Sequence, residues 1–468
     1  MQNFLRGFFV SLFLGSCLVA QTYSLSFVAD VTFPSSNAGC GSTPITGGSD
    51  VWGYQAPDGT QYALMGVRDG IAVVRIPDMM VVEVVPAATG ADCYWHRDIK
   101  TYGHYAYAVA EMSGGVNPGM LIMDLQFLPD SVRLVGTYQN GSDIRSHNLS
   151  IDTATGYAYV LKQNASGVRV ISLADPENPV DVSVINTSSV HDVLARNDTV
   201  YVSEGGRSSF SVWDLSDKNN PTFMTRFFSP DNGYAHNAWP TEDGRYVMTT
   251  EETRFVSMKM WDVSDMLNPA LRGEILGRSD LAHNTHILGN LAYISHYTSG
   301  VSIVDLSNPD TLRQVAEYDT YQPSNSPIFD GCWGVYPFAD SGYVYASNFD
   351  GRLLVLRLTQ EVLGTGGDPL PIPENHALLP NFPNPFNPET TIPYRLSERG
   401  EVRVEIFNVS GEKVRVLVNE VQSPGDHRIR WDGRDNHGRE MASGTYLVRL
   451  SARGGRPFEV TRPVVLVK

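Results

Sequence analysis

Five histidines recur in similar surroundings: Trp95-His96-Arg97-Asp98, Ser146-His147-Asn148, Val190-His191-Asp192, Ala235-His236-Asn237 and Ala282-His283-Asn284. Neutral imidazole ligates Zn, Cu, Fe or Ni, and it titrates near neutral pH. Asp98, Asn148, Asp192, Asn237 and Asn284 each follow a histidine by one or two positions. Carboxylates one shell out are what orient ligating rings. If His96, His147, His191, His236 and His283 met in space, they would suit one divalent transition metal. Whether they meet depends on the elements that carry them.

Two further phrases, Trp52-Gly53 and Cys332-Trp333-Gly334, extend the series to seven. From residue 52 to 96, 147, 191, 236, 283 and 333 the steps are 44, 51, 44, 45, 47 and 50. A repeat of that length made of short strands is the signature of a β-propeller with one blade per repeat. Equivalent positions in a propeller fall on a ring, so the five histidines converge on one channel.

Residues 190–228 show the blade pattern. Alternating apolar runs at 190–195, 200–203, 210–215 and 223–228 are separated by Asn197-Asp198, Glu204-Gly205-Gly206 and a polar turn ending at Pro221. Such runs read as antiparallel strands. The third strands are the most regular: Trp213-Asp214-Leu215-Ser216-Asp217, Trp261-Asp262-Val263-Ser264-Asp265 and Val304-Asp305-Leu306-Ser307-Asn308. The seventh unit has only three strands, at 333–338, 343–347 and 353–358. Residues 25–31 read as an orphan strand that would complete it and remove two exposed sheet edges. The predicted fold class is all-β: a seven-bladed propeller over 21–358, a linker at 359–379 and a small Ig-like β-sandwich at 380–468.

Among 468 residues there are 42 glycines, in keeping with a turn-rich β protein. The net charge of −16 argues against a nucleic-acid partner gripped through phosphates. Arg6 followed by the apolar run 7–20 reads as a signal peptide, cut near Ala20, and is too short for a membrane span. Leu14-Gly15-Ser16-Cys17 faintly matches a lipoprotein box, but apolar residues follow it. Cys40, Cys93 and Cys332 then remain. An exported chain can pair two of them, and the sequence leaves the choice among three pairings open.

The tail carries Asn381-Phe382-Pro383-Asn384-Pro385-Phe386-Asn387-Pro388, the turn Trp431-Asp432-Gly433, the strand start Ser443-Gly444-Thr445-Tyr446 and the basic end Val464-Val465-Leu466-Val467-Lys468. These motifs, over about the last 90 residues, resemble the C-terminal sorting domain of type IX secretion cargo. They are also similar to the Ig-like domain of flagellar hook-assembly proteins. The resemblance implies a partner, the type IX secretion machinery, and an extracellular, outer-membrane-attached location reached without a transmembrane span. It also implies that the tail is often removed on attachment. An Ig-like module that simply binds something is the other reading.

The propeller resembles the choice-of-anchor B family, built from LVIVD repeats, over residues 25–358. The motifs are Val51-Trp52-Gly53-Tyr54, Trp95-His96-Arg97-Asp98-Ile99-Lys100, the V-x-I-V-D-type third strands and Cys332-Trp333-Gly334-Val335-Tyr336-Pro337-Phe338. The resemblance implies a surface-bound propeller and supplies no catalytic motif.

In an antiparallel blade the end of strand two lies beside the start of strand one. Arg68, Glu111, Gln163, Glu204, Glu251, His296 and Asn348 are therefore expected around the histidine ring. His286, three residues after His283, should point to the opposite face. Three readings are open. The ring is structural, linking blades and water; it binds a small surface ligand or a metal; or it is a metal-dependent enzyme site with Glu111, Glu204 or Glu251 as general base. Asp98 and Asp192 complete the expected binding set. Glu251-Glu252 as an acid/base pair is disfavoured, because adjacent strand residues face opposite ways. No GxSxG, P-loop or HExxH motif occurs.

Overall fold

A computed structural model describes residues 20–34, 47–89, 96–141, 145–162, 166–321, 326–363 and 376–378, and 381–467 except 382, 383, 385, 387, 389, 398–399, 423–424, 437 and 454–457. The leader at 1–19, Cys40, Cys93, Gln163 and most of the linker lie outside them. The described chain forms two compact units, Gln21–Val362 and Leu363–Lys468. Among the described residues no helix is long and apolar enough to cross a membrane.

The first unit contains seven four-stranded antiparallel sheets. Their innermost strands are Gly48–Gln55, Arg97–Tyr102, Leu149–Asp152, Asp192–Arg196, Ala235–Pro240, Thr285–Leu288 and Cys332–Tyr336, defining blades 1 to 7. Successive inner strands contact one another all the way round. The outermost strand of blade 7 is Ala20–Thr32, laid on Arg352–Leu363. Thr359 Oγ1 donates to the Ser24 carbonyl at 3.2 Å and Arg352 pairs with Asp30 at 2.6 Å. The first strand described thus closes the last blade and covers the outer edge of Arg352–Leu363.

Local chemistry explains the repeat. In four third strands the aspartate accepts a hydrogen bond from the backbone two residues on: Asp124 from Gln126, Asp214 from Ser216, Asp262 from Ser264 and Asp305 from Ser307. This Asx geometry turns the chain toward strand four. A register break between the third and fourth strands recurs in blades 1 to 6, at Val73/Val74, Ile122/Met123, Val170/Ile171, Val212/Trp213, Met260/Trp261 and Ile303/Val304. Bulges of this kind bend and twist an edge strand.

The apolar cores lie between blades rather than within them. One cluster joins Leu64 and Val73 of blade 1 to Ile99 and Leu121 of blade 2. Another joins Val51 and Val74 of blade 1 to Tyr345 and Val355 of blade 7. Each fully buried aliphatic side chain contributes about 1.5–3 kcal/mol relative to exposure.

The second unit has two facing sheets. One is Ala377–Leu378, Thr390–Leu396 and Gly425–Trp431; the other is Lys413–Gln422, Gly400–Asn408, Gly444–Arg453 and Phe458–Leu466. Trp431 is fully buried between Phe386 and Tyr446, at 5.3 and 5.1 Å. The acidic turn after Trp431 is an arginine-braced turn: Asp432 pairs with Arg415 at 2.6 Å and Asp435 with Arg439 at 2.8 Å.

Candidate functional site

Each histidine sits one or two residues before its blade's inner strand or, for His236, at its second position, so all five gather at one mouth of the channel. Ring centroids are 4.0 Å apart for His96–His147, 4.4 Å for His147–His191, 4.3 Å for His191–His236 and 4.4 Å for His236–His283. Trp333 of blade 7 closes the circuit, 4.5 Å from His283 and 5.2 Å from His96. Blade 1 contributes Gly48 at the matching position, not Trp52. A Cβ on Gly48 would lie 2.3 Å from the Asn348 carbonyl oxygen and 2.4 Å from Met65 Cε, so no side chain fits. Trp52 lies further along the channel, against Tyr336 at 5.1 Å.

A circuit of near-equal sides has its centre about 4.4 Å from each ring. A metal about 2.0–2.1 Å from an imidazole nitrogen sits roughly 3.2 Å from that ring's centroid. A bound ion therefore draws the rings in by roughly 1 Å, or lies off-centre against three or four of them.

Burial and the neighbouring imidazoles hold His96, His191 and His236 well below the usual histidine range. Burial likewise brings His283 down to about 3, against the opposing pull of the Trp333 carbonyl. His283 Nδ1 meets that carbonyl at 2.6 Å, which assigns its proton to Nδ1 and leaves Nε2 as a lone pair. His191 and His236 each turn a buried Nδ1 toward the backbone carbonyl of the next ring residue, His236 and His283, which pulls weakly against burial. His147 differs. Burial lowers it, but Glu111, 2.9 Å from Nδ1, outweighs burial and raises it.

Two carboxylates join the imidazoles. Glu111 groups with His96 and His147, and Glu252 with His191 and His236, the candidate ligand atoms within each group lying within 4.8 Å of one another. Burial pushes Glu252 up to about 7, partly offset by the hydrogen bond from the Tyr297 hydroxyl. Its carboxylate is 3.8 Å from His236 Nε2.

Glu204 and Glu251 join neither group. Pairing registers align Glu204 with Glu251 and, one residue later, Glu111 with Glu252. Successive residues face opposite ways, so the first pair turns into the blades. Glu204 binds Arg226 at 2.6 Å and the hydroxyls of Ser209, Ser211 and Thr187. Glu251 pairs with the fully buried Lys259 at 2.9 Å. His296 and Asn348 occupy the same inward position. His296 Nδ1 meets Ser279 at 2.9 Å, and Asn348 donates to the Thr320 carbonyl. Glu252, Tyr297 and Phe349 take the mouth positions expected for Glu251, His296 and Asn348. The alternation around Glu251-Glu252 was the available signal; which of the two faced the mouth required the pairing register.

Asp98 and Asp192 serve as staples between blades. Asp98 accepts from Leu149 N of the next blade at 2.7 Å, and Asp192 from Asn237 Nδ2 at 2.6 Å. His286 stands outside the ring, its ring tilted against Trp239 at 4.4 Å. Cys332 is a buried free thiol at the start of its inner strand.

Residues 281–320 match the LVIVD repeat. This segment is blade 6 with its preceding histidine phrase. Residues 389–456 match the FlgD Ig-like domain. No curated protein matches the chain. Among solved structures, U3-55K is similar at 13% identity over 70% of this chain and 98% of its own, with a TM-score of 0.51. The WD40 repeats of RRP9 give 12% identity, 71% and 99% coverage and 0.51. A catalytically inactive virginiamycin B lyase from Staphylococcus aureus, with quinupristin, gives 10%, 72%, 100% and 0.50. At these identities the likeness is one of fold.

Proposed function

We propose that the protein is an exported, surface-attached propeller that binds a ligand at its histidine mouth, and that a divalent transition metal is held there. The observation that carries this reading is the arc of five imidazoles at 4.0–4.4 Å spacing, most of them neutral through burial. Glu111 would orient His147 as outer-shell carboxylates orient metal-bound rings. Ligands converging from five blades would also tie the ring together, so metal binding should raise its stability. Thermal melts with zinc, copper, iron or manganese against chelator test this. At about 100 times Kd the expected gain is about 2.7 kcal/mol; identical melts under all conditions would remove the metal.

A second reading, a metal-dependent enzyme on the same histidines, is favoured by one observation. Glu252, brought to about 7 beside His236, has the proton affinity of a general base at neutral pH.

The surface location rests on the leader-like start, the LVIVD match of blade 6 and the tail's likeness to type IX sorting domains. Choice-of-anchor B membership belongs to the same proposal. Deleting residues 380–468 in a type IX-competent host should leave the propeller inside the cell envelope. Unchanged surface exposure to added protease would refute the address.

A further inference from the structure

The inner strands run from the histidine mouth to the opposite end of the channel, and that end holds a cavity of about 240 Å³. This is just below the roughly 300–1,000 Å³ of small-molecule pockets and fits a ligand of about one sugar ring. Its aromatic walls are Trp52, Trp239 and Phe338, one from each of three blades. Trp239 and Phe338 stack with centroids 5.7 Å apart, and Trp52 is fixed by its Nε1 bond to Thr101 Oγ1 at 3.2 Å.

Two cations line the same space, and they differ. Lys100 is neutralised by Asp50 and Asp98. Arg196 is half-buried, stacked 5.6 Å over Trp239, and its Nη1 donates to the Pro240 carbonyl at 3.1 Å. Among the described residues no carboxylate reaches it within ion-pairing distance; Glu242 and Asp152 act on it only through space. A half-buried guanidinium with donors left over can take an anionic partner, and its planar fork matches a carboxylate. The polar walls call for hydroxyls on the ligand. Ser150 Oγ accepts from Ala195 N, leaving its proton to donate, and Asp152, whose carboxylate oxygens accept from Ala154 N and Asp198 N, also lines the cavity.

We infer that this second mouth is a binding site for an acidic pyranose, a uronic acid residue of a polysaccharide. The C–H face of the sugar packs against the accessible parts of Trp52 and Phe338, beside Arg196. The hydroxyls meet Ser150 and Asp152, and the carboxylate meets Arg196.

Titrating the full chain with glucuronate and galacturonate, read by tryptophan fluorescence and by ligand-observed NMR, tests this. Either uronate should saturate the protein, with glucose at least about tenfold weaker, the loss of one charge-assisted contact. Arg196→Gln keeps a donor for the Pro240 carbonyl and should bring uronate down to the glucose level. Arg196→Lys should retain part of the difference. Arg313→Gln, exposed on the outer strand of blade 6, should leave uronate affinity unchanged. The site is overturned if neither uronate saturates the folded protein, if Arg196→Gln binds as the parent does, or if Arg313→Gln abolishes binding. The sugar class is overturned if benzoate binds as tightly as the uronates.

Discussion

Two adjacent glutamates in blade 5 have opposite roles, and their substitutions should separate cleanly. Glu251→Ala strands the buried Lys259 ammonium, and the expected cost is about 3 kcal/mol by denaturant titration. That is near the low end for a broken buried pair, because Asp231 still reaches Lys259 at 2.8 Å. Glu252→Gln should change stability little and weaken metal binding. A reversed pattern would return Glu251 to the mouth. Glu204 gives a pH signature. Burial opposes its ionisation, but Arg226 and three hydroxyls outweigh burial and hold its carboxyl below the ordinary range. A depressed folded value contributes stability above the unfolded value of about 4.3 and loses it as pH falls further. Glu204→Gln should therefore flatten the stability profile from about pH 5 down to about pH 3; a parallel profile would contradict the assignment. The five histidines were legible because the repeat copies their surroundings. Of the carboxylates, Glu111 was on the expected ring and Glu252 was not, because a one-residue choice of register reverses every side chain.

At the scale of elements, the blades explain why the ring has five histidines and not seven. Blade 7 presents Trp333, and blade 1 presents Gly48, where a Cβ would strike the Asn348 carbonyl. Gly48→Ala should cost about 1–3 kcal/mol, the range for overpacking. A neutral result would mean that blades 1 and 7 have slack between them. Sequence spacing alone aligned blade 1 on Trp52, because a tryptophan-glycine pair occurs in both terminal blades; the pairing Val51↔Met65 shows the inner strand beginning earlier. The same inner strands carry the aromatic cavity at their other ends, which no repeated phrase announced. Its lining, with Trp52 and Trp239 beside Lys100, Leu194 and Arg196, does not repeat one residue type from blade to blade.

Across the whole molecule, the all-β propeller-plus-sandwich architecture was readable because periodicity, turn residues and strand alternation agree. The apolar cluster of the tail, centred on Trp431, contains only residues of the tail. The propeller's apolar clusters contain only its own. Separate cores unfold as separate units. Calorimetry of the full chain should show two transitions, and removal of residues 364–468 should delete one while leaving the other in place. A single shared transition would show that the units stabilise each other.

The most direct measurement is elemental analysis of the purified full chain beside a His191→Ala/His236→Ala double variant, each incubated with zinc, copper, iron and manganese and then desalted. The expected result is about one transition metal per parent chain, lost in a variant that keeps its β-sheet circular dichroism. No metal in the parent under any of the four conditions would contradict the metal site and leave the imidazole ring a structural seam.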